Sequence, residues 1–67
     1  MMDILKIFGK KVQFYRKKRG LSQEELAFQA GLHRTYISQI EAGARNVALK
    51  NLSRLAKALD VSIKDFF

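Results

Sequence analysis

The sequence contains no cysteine and no proline, one histidine, and only 6 Asp+Glu. Without cysteine there is neither a disulfide nor a thiolate metal site, and one histidine without paired acids beside it does not build a metal centre. Lacking any such staple, a 67-residue chain buries only roughly 60% of the surface its unfolded form exposes. It must rely on very regular helix packing, on dimerisation, or on both. Charges interrupt every apolar stretch, which excludes a spanning helix and a signal peptide. The 48% hydrophobic content is nevertheless too high for a disordered chain. One soluble, cytoplasmic domain over residues 1–67 is the expectation. The scarcity of acids against 13 Lys+Arg leaves a formal charge of +7, which points to a polyanion partner, either nucleic acid or an anionic membrane surface.

No alternating polar and apolar run of useful length occurs, which argues against strands, and there is no internal repeat or low-complexity tract. Gly20, Gly31 and Gly43 each follow a helix-period run, where a left-handed C-terminal cap is wanted. Asp60 takes the equivalent fourth position. Ser22 with Glu25, and Ser62 with Asp65, have the spacing of capping boxes. These signals predict five helices, over about 3–19, 23–30, 34–42, 48–59 and 62–67. In the fourth, Leu49, Leu52, Leu55, Ala56 and Leu59 form a core stripe; in the first, Ile4, Leu5, Phe8, Val12 and Tyr15 fall on one side. Leu26, Ala27 and Ala30 supply the small buried face of the second.

The third helix divides when its residues are set about 100° apart around the axis. Ile37 and Ile40 point one way; Arg34, Thr35, Ser38, Gln39 and Ala42 cover the opposite arc, which holds no acid. Such a surface suits base edges in a major groove: Arg pairs with guanine through two bonds, Gln with adenine, and a Thr methyl meets a thymine methyl. A merely solvated face is the alternative. A capped short helix and the Gly31-Leu32-His33 turn directly before this helix, in a basic domain, favour the groove. The wheel also places Arg16 inside the apolar arc of the first helix, where an unpaired guanidinium is costly. Glu41, the only acid of the third helix, lies at the edge of its buried arc, so an Arg16–Glu41 salt bridge is predicted.

No Ser/His/Asp set, phosphate-binding glycine loop or spaced carboxylate pair is present, so no enzymatic activity, metal or cofactor is expected. His33, just before the third helix, is read as a helix cap or a DNA-backbone contact. Phe14 and Ile7, flanked by Lys10, Lys11, Lys17 and Lys18, lie off the main buried arc, and Phe28 is likewise extra. These aromatics are expected to pack on each other or on the C-terminal phenylalanines; a contact patch for a partner such as RNA polymerase is the alternative.

The run Arg16-Lys17-Lys18-Arg19-Gly20-Leu21-Ser22-Gln23-Glu24-Glu25-Leu26-Ala27, with Ala30-Gly31-Leu32, Tyr36-Ile37-Ser38, Ile40-Glu41 and Gly43, resembles the phage repressor and Cro-type (XRE) helix-turn-helix domain. Arg34-Thr35-Tyr36-Ile37-Ser38 and Arg45-Asn46 look most like the controller proteins of restriction-modification systems. The resemblance implies an all-α, compact five-helix repressor-like domain, its motif at about 22–42, bound as a homodimer to a pseudo-palindromic double-stranded DNA operator. It assigns base reading to Arg34, Thr35, Ser38 and Gln39, and backbone contacts to Gln23, Tyr36, Arg45, Asn46 and Lys50. It places the dimer interface around Val61, Ile63 and Phe66, and it also matches the Arg16–Glu41 pair. Ala48 and Val47 depart from the family pattern, so the fourth helix is expected to begin loosely.

The expectation is therefore a transcriptional regulator with no cofactor and, from a sequence ending at Phe67, no sensor domain, controlled by its own concentration. An antitoxin or phage-type repressor keeps the DNA binding. A different class, a basic membrane-surface or protein-interaction module built on the lysine-rich first helix, is the rival. Residues 1–19 hold seven bases and one acid, the remainder six bases and five acids. Charge thus supplies long-range attraction, while sequence choice rests on the third helix.

Overall fold

The computed structural model describes residues 3–67. Four α-helices follow one another, α1 (Ile4–Lys18), α2 (Gln23–Ala30), α3 (Arg34–Glu41) and α4 (Leu49–Leu59), and a single 3₁₀ turn, Ile63–Phe66, closes the chain. The described residues contain no strand. The expected fifth helix is thus a correction: four residues make one tight turn, too short for an α-helical period.

Local chemistry explains the boundaries. The Asp3 carboxylate accepts from the N–H groups of Leu5 at 3.0 Å and Lys6 at 3.4 Å, satisfying donors that the first turn leaves free. Three bases, Arg16, Lys17 and Lys18, occupy the last turn of α1, where the helix dipole favours positive charge. Ser22 opens α2 with a reciprocal pair: the Glu25 N–H donates to Ser22 Oγ at 3.0 Å and the Ser22 N–H to Glu25 Oε1 at 2.9 Å. That hydrogen bonding holds the Glu25 carboxyl below its usual value of 4.5. Gly31 ends the helix at φ 70, ψ 35, a left-handed conformation that a Cβ disfavours, and the Leu32 N–H turns back to the Ala27 carbonyl at 2.9 Å.

His33 stands at the N-cap of α3, but its side chain makes no capping bond, so the capping reading fails. Ala48 likewise leaves α4 without a side-chain cap, and Asp60 ends α4 in the left-handed region at φ 57. The Ser62 N–H donates to Asp65 Oδ2 at 2.9 Å and so starts the final turn.

The core comprises Phe8 and Val12 of α1, Leu26, Ala27 and Ala30 of α2, Ile37 and Ile40 of α3, Leu55, Ala56 and Leu59 of α4, and Phe66. Helix α3 packs on both α1 and α2, α2 also packs on α4, and the 3₁₀ turn covers α1 and α4. Phe66 meets Phe8 edge-on at 5.1 Å. Two members of the predicted stripes lie outside: Ile4 and Leu49, 56% and 75% exposed, each open the first turn of its helix, at the margin of the packed region. Nor do the extra aromatics cluster as expected. Among the described residues Phe14 has only Tyr15 as a ring neighbour at 5.1 Å, with Lys18 at 6.0 Å, and Phe28 is 87% exposed.

Gly9 explains how closely α1 and α3 approach. It is buried in the middle of α1, where glycine is disfavoured by about 1 kcal/mol relative to alanine. A Cβ there would fall 2.9 Å from the Glu41 carbonyl oxygen and would collide with that of Ile40. The C-terminal end of α3 therefore lies directly on the α1 backbone. Gly9→Ala is expected to destabilise the protein by about 1–3 kcal/mol, the usual range for overpacking, despite alanine's higher helix propensity. Chemical denaturation of the two proteins measures the difference.

Candidate nucleic-acid interface

Ile37 and Ile40, 0% and 1% exposed, anchor α3 to the core. The same helix therefore turns Arg34, Thr35 and Ser38 into solvent. Arg34 makes one long-range ion contact, 3.9 Å to Glu24, with both side chains exposed. Such surface pairs contribute about 0–1 kcal/mol, so Arg34 is free to take another partner.

Beneath this surface lies a buried polar assembly. Arg16 Nε donates to Glu41 Oε2 at 2.6 Å, Nη2 to Glu41 Oε1 at 3.0 Å, and Nη1 to the Leu21 carbonyl at 2.8 Å. The side chains of Arg16 and Glu41 are 10% and 3% exposed. The bidentate contact outweighs desolvation and holds the Arg16 guanidinium pKa above its ordinary value. Gln23 joins the same carboxylate, its Nε2 donating to Glu41 Oε1 at 3.0 Å. One acid thus connects α1, the start of α2 and the end of α3.

Gln39 is not presented freely like its neighbours. It is half-buried, and its Oε1 accepts from Arg45 Nη1 at 2.8 Å. The Arg45 guanidinium lies 5.1 Å from the centre of the Tyr36 ring, and the Tyr36 hydroxyl accepts from Asn51 Nδ2 at 3.2 Å. These residues, with Asn46, His33 and Thr35, line one open groove beside α3. Lys50 is exposed on the first turn of α4.

The residues expected at a dimer interface separate. Ile63 is 40% exposed, Val61 half-buried, and Phe66 0% exposed. Phe66 belongs to the core, which corrects its assignment to a surface: its ring is already enclosed by Phe8 and by Tyr15, whose ring centre is 6.2 Å away. The exposed apolar residues that sequence reasoning had not assigned to a surface are Ile4, Leu49 and Phe67. Ile4 and Phe67 line an apolar groove with Leu5, Val47 and Leu52.

Gly9, Leu21 and Asn51 were also missed. The first acts through its lack of a side chain and the second through its carbonyl, and neither role leaves a mark in side-chain chemistry. Asn51 forms a contact between helices whose register no local pattern encodes.

Residues 12–66 match the helix-turn-helix family model. The chain belongs to the helix-turn-helix family, in its XRE-type branch. It is 53% identical over 64 residues to the control protein C.BamHI of Bacillus amyloliquefaciens, an alignment covering 94% of this chain and 79% of that protein. Its fold superimposes on the restriction-modification controller protein C.AhdI of Aeromonas hydrophila with a TM-score of 0.92 and 46% identity, covering 94% and 96% of the two chains. SinR, a master regulator of biofilm formation solved in complex with DNA, aligns with a TM-score of 0.85 and 35% identity, over 88% of this chain and 95% of that one. No helix among the described residues of this helix-turn-helix protein is long and apolar enough to cross a membrane.

Replacing Arg16 strands a buried carboxylate, and breaking a buried pair in this way costs about 3–5 kcal/mol. Arg16→Met is accordingly expected to lower the melting temperature strongly and to weaken DNA binding. An unchanged melting temperature with intact binding would refute the positional role of the pair.

Proposed function

We propose that this helix-turn-helix protein is a sequence-specific transcriptional regulator that binds a pseudo-palindromic DNA operator as a homodimer, with the role of a restriction-modification controller. The observation that carries this reading is the exposed arc of Arg34, Thr35 and Ser38 on a helix anchored by Ile37 and Ile40. Its similarity to C.BamHI and C.AhdI supports the controller role. Arg34 and Thr35 read base edges from the start of α3, with Ser38 and Gln39 one turn further on. Gln23, through the free backbone N–H at the start of α2, together with Tyr36, Arg45, Asn46 and Lys50, contacts the phosphate backbone and sets the register; such backbone contacts carry no sequence information directly.

Two copies related by a two-fold axis place their recognition helices in half-sites about 34 Å apart. Ile63 and Val61 contribute to that interface, and Ile4, Leu49 and Phe67 extend its apolar area. Phe28, exposed beside Glu24 and Glu25, is available for a protein partner such as RNA polymerase. The basic first nineteen residues make association strongly dependent on salt.

Selection of bound duplexes from a random pool, followed by footprinting, tests specificity, spacing and symmetry together; enrichment of no sequence would overturn the reading. Arg34→Ala is expected to lose about 1–3 kcal/mol of operator binding and to relax the preference at one base pair. Lys50→Ala should instead weaken binding to all sequences alike. Full operator discrimination in the Arg34→Ala protein would remove that residue from base reading. Ile63→Asp and Leu49→Asp change exposed side chains and should leave the fold intact. Sedimentation should show them shifted towards monomer, with reduced operator affinity; unaltered dimers would exclude this surface.

A further inference from the structure

The side-chain amide of Gln39 is oriented before any DNA arrives. A guanidinium carries five N–H donors and no acceptor, so an amide facing Arg45 must offer its oxygen, and Gln39 Oε1 does so at 2.8 Å. Such charge-assisted bonds are roughly twice as strong as neutral ones. Arg45 is itself held on its other side. Its guanidinium packs over the Tyr36 ring at 5.1 Å, and that ring is half-buried against the core and tied through its hydroxyl to Asn51 at 3.2 Å. The chain Asn51–Tyr36–Arg45–Gln39 joins α4, α3 and the intervening loop into a brace on one side of the recognition surface.

We propose that Arg45 is a specificity-determining residue that acts through Gln39, orienting its amide so that the NH₂ leads towards the bases while the oxygen faces the guanidinium. The usual pairing of glutamine with adenine needs both halves of the amide, the oxygen accepting from N6 and the nitrogen donating to N7. With one lone pair of its oxygen engaged by Arg45 and a positive charge beside it, Gln39 presents its NH₂ foremost. Adenine N6 then meets donors on both the amide and the guanidinium, whereas guanine offers acceptors at N7 and O6 and thymine offers O4. The braced amide therefore favours guanine, which offers two acceptors, or thymine over adenine, whose N7 acceptor lies beside the N6 donors that the guanidinium repels. Arg45 thereby acts on base choice, in addition to any contact of its own with the backbone. Tyr36 and Asn51 position Arg45.

This inference rests on Gln39 reading a base, so the experiment separates the two. Duplexes carrying each of the four base pairs at every operator position are titrated, at low salt, with the unaltered protein, Gln39→Ala and Arg45→Ala; circular dichroism checks that each is folded. Gln39→Ala identifies the position that Gln39 reads by abolishing preference there. At that position the unaltered protein should favour guanine or thymine facing Gln39 over adenine by about tenfold. Arg45→Ala frees the amide oxygen, so adenine should gain about tenfold relative to guanine, whatever the overall loss of affinity. A preference of the unaltered protein for adenine, or an Arg45→Ala protein that weakens all four duplexes equally, would overturn the brace. Loss of no preference in Gln39→Ala would instead remove the base-reading role on which it rests.

Discussion

A carboxylate taken out of water inside a small protein has to be matched by donors, since the desolvation penalty reaches several kcal/mol per ion. The Glu41 side chain, 3% exposed, is matched three times: twice by Arg16 and once by Gln23. Because those donors come from α1 and from the first residue of α2, meeting the demand fixes where α2 and α3 lie relative to α1. The Arg16 bond to the Leu21 carbonyl draws the turn between α1 and α2 into the same arrangement. Gly9 completes it by letting the α3 carbonyls rest on α1. Net stabilisation by such a pair is small; its main effect is positional, and the angle at which α3 meets its partner follows from it.

The two glutamines near the recognition surface are governed by opposite charges. Ionised Glu41 only accepts, so Gln23 turns its NH₂ inward; Arg45 only donates, so Gln39 turns its oxygen towards it. An amide is symmetric in shape but not in hydrogen-bonding character, and a charged neighbour decides which half faces outward. The same residue type thus serves two purposes on one small surface, one amide continuous with the buried network and the other held in a solvent-facing groove.

Periodicity made most of the architecture readable in advance. The stripes through Val12, Ile37 and Leu55 recur at helical spacing, and an arginine within an apolar arc required an acid, which left Glu41 as the candidate on α3. What failed lies where periodicity carries no information. Ile4 and Leu49 are in register with their stripes but occupy first turns at the margin of the packed region. Phe66 sits in a single 3₁₀ turn, where four residues cannot establish a repeat, and it fills the core instead of facing outward. The capping role given to His33 assumed a bond that its side chain does not make. The exposed face formed by Arg34, Thr35 and Ser38 was visible because it lies on one helix. The restraint on Gln39 was not, because Arg45 reaches it from a loop.

The division of α3 into an anchored face and an outward one also bears on how such a protein changes over evolutionary time. Substitutions at exposed positions away from special features alter stability by about ±0.5 kcal/mol or less, so Arg34, Thr35 and Ser38 are able to drift with little effect on folding. A duplicated copy could acquire a new operator there and become orthogonal to its parent by single steps. Gln39 is the exception. Its partner lies outside the helix, so on the proposed reading a change of base preference at that site is epistatic with position 45, and an exchange of recognition helices between relatives transfers that preference only when the loop travels with it.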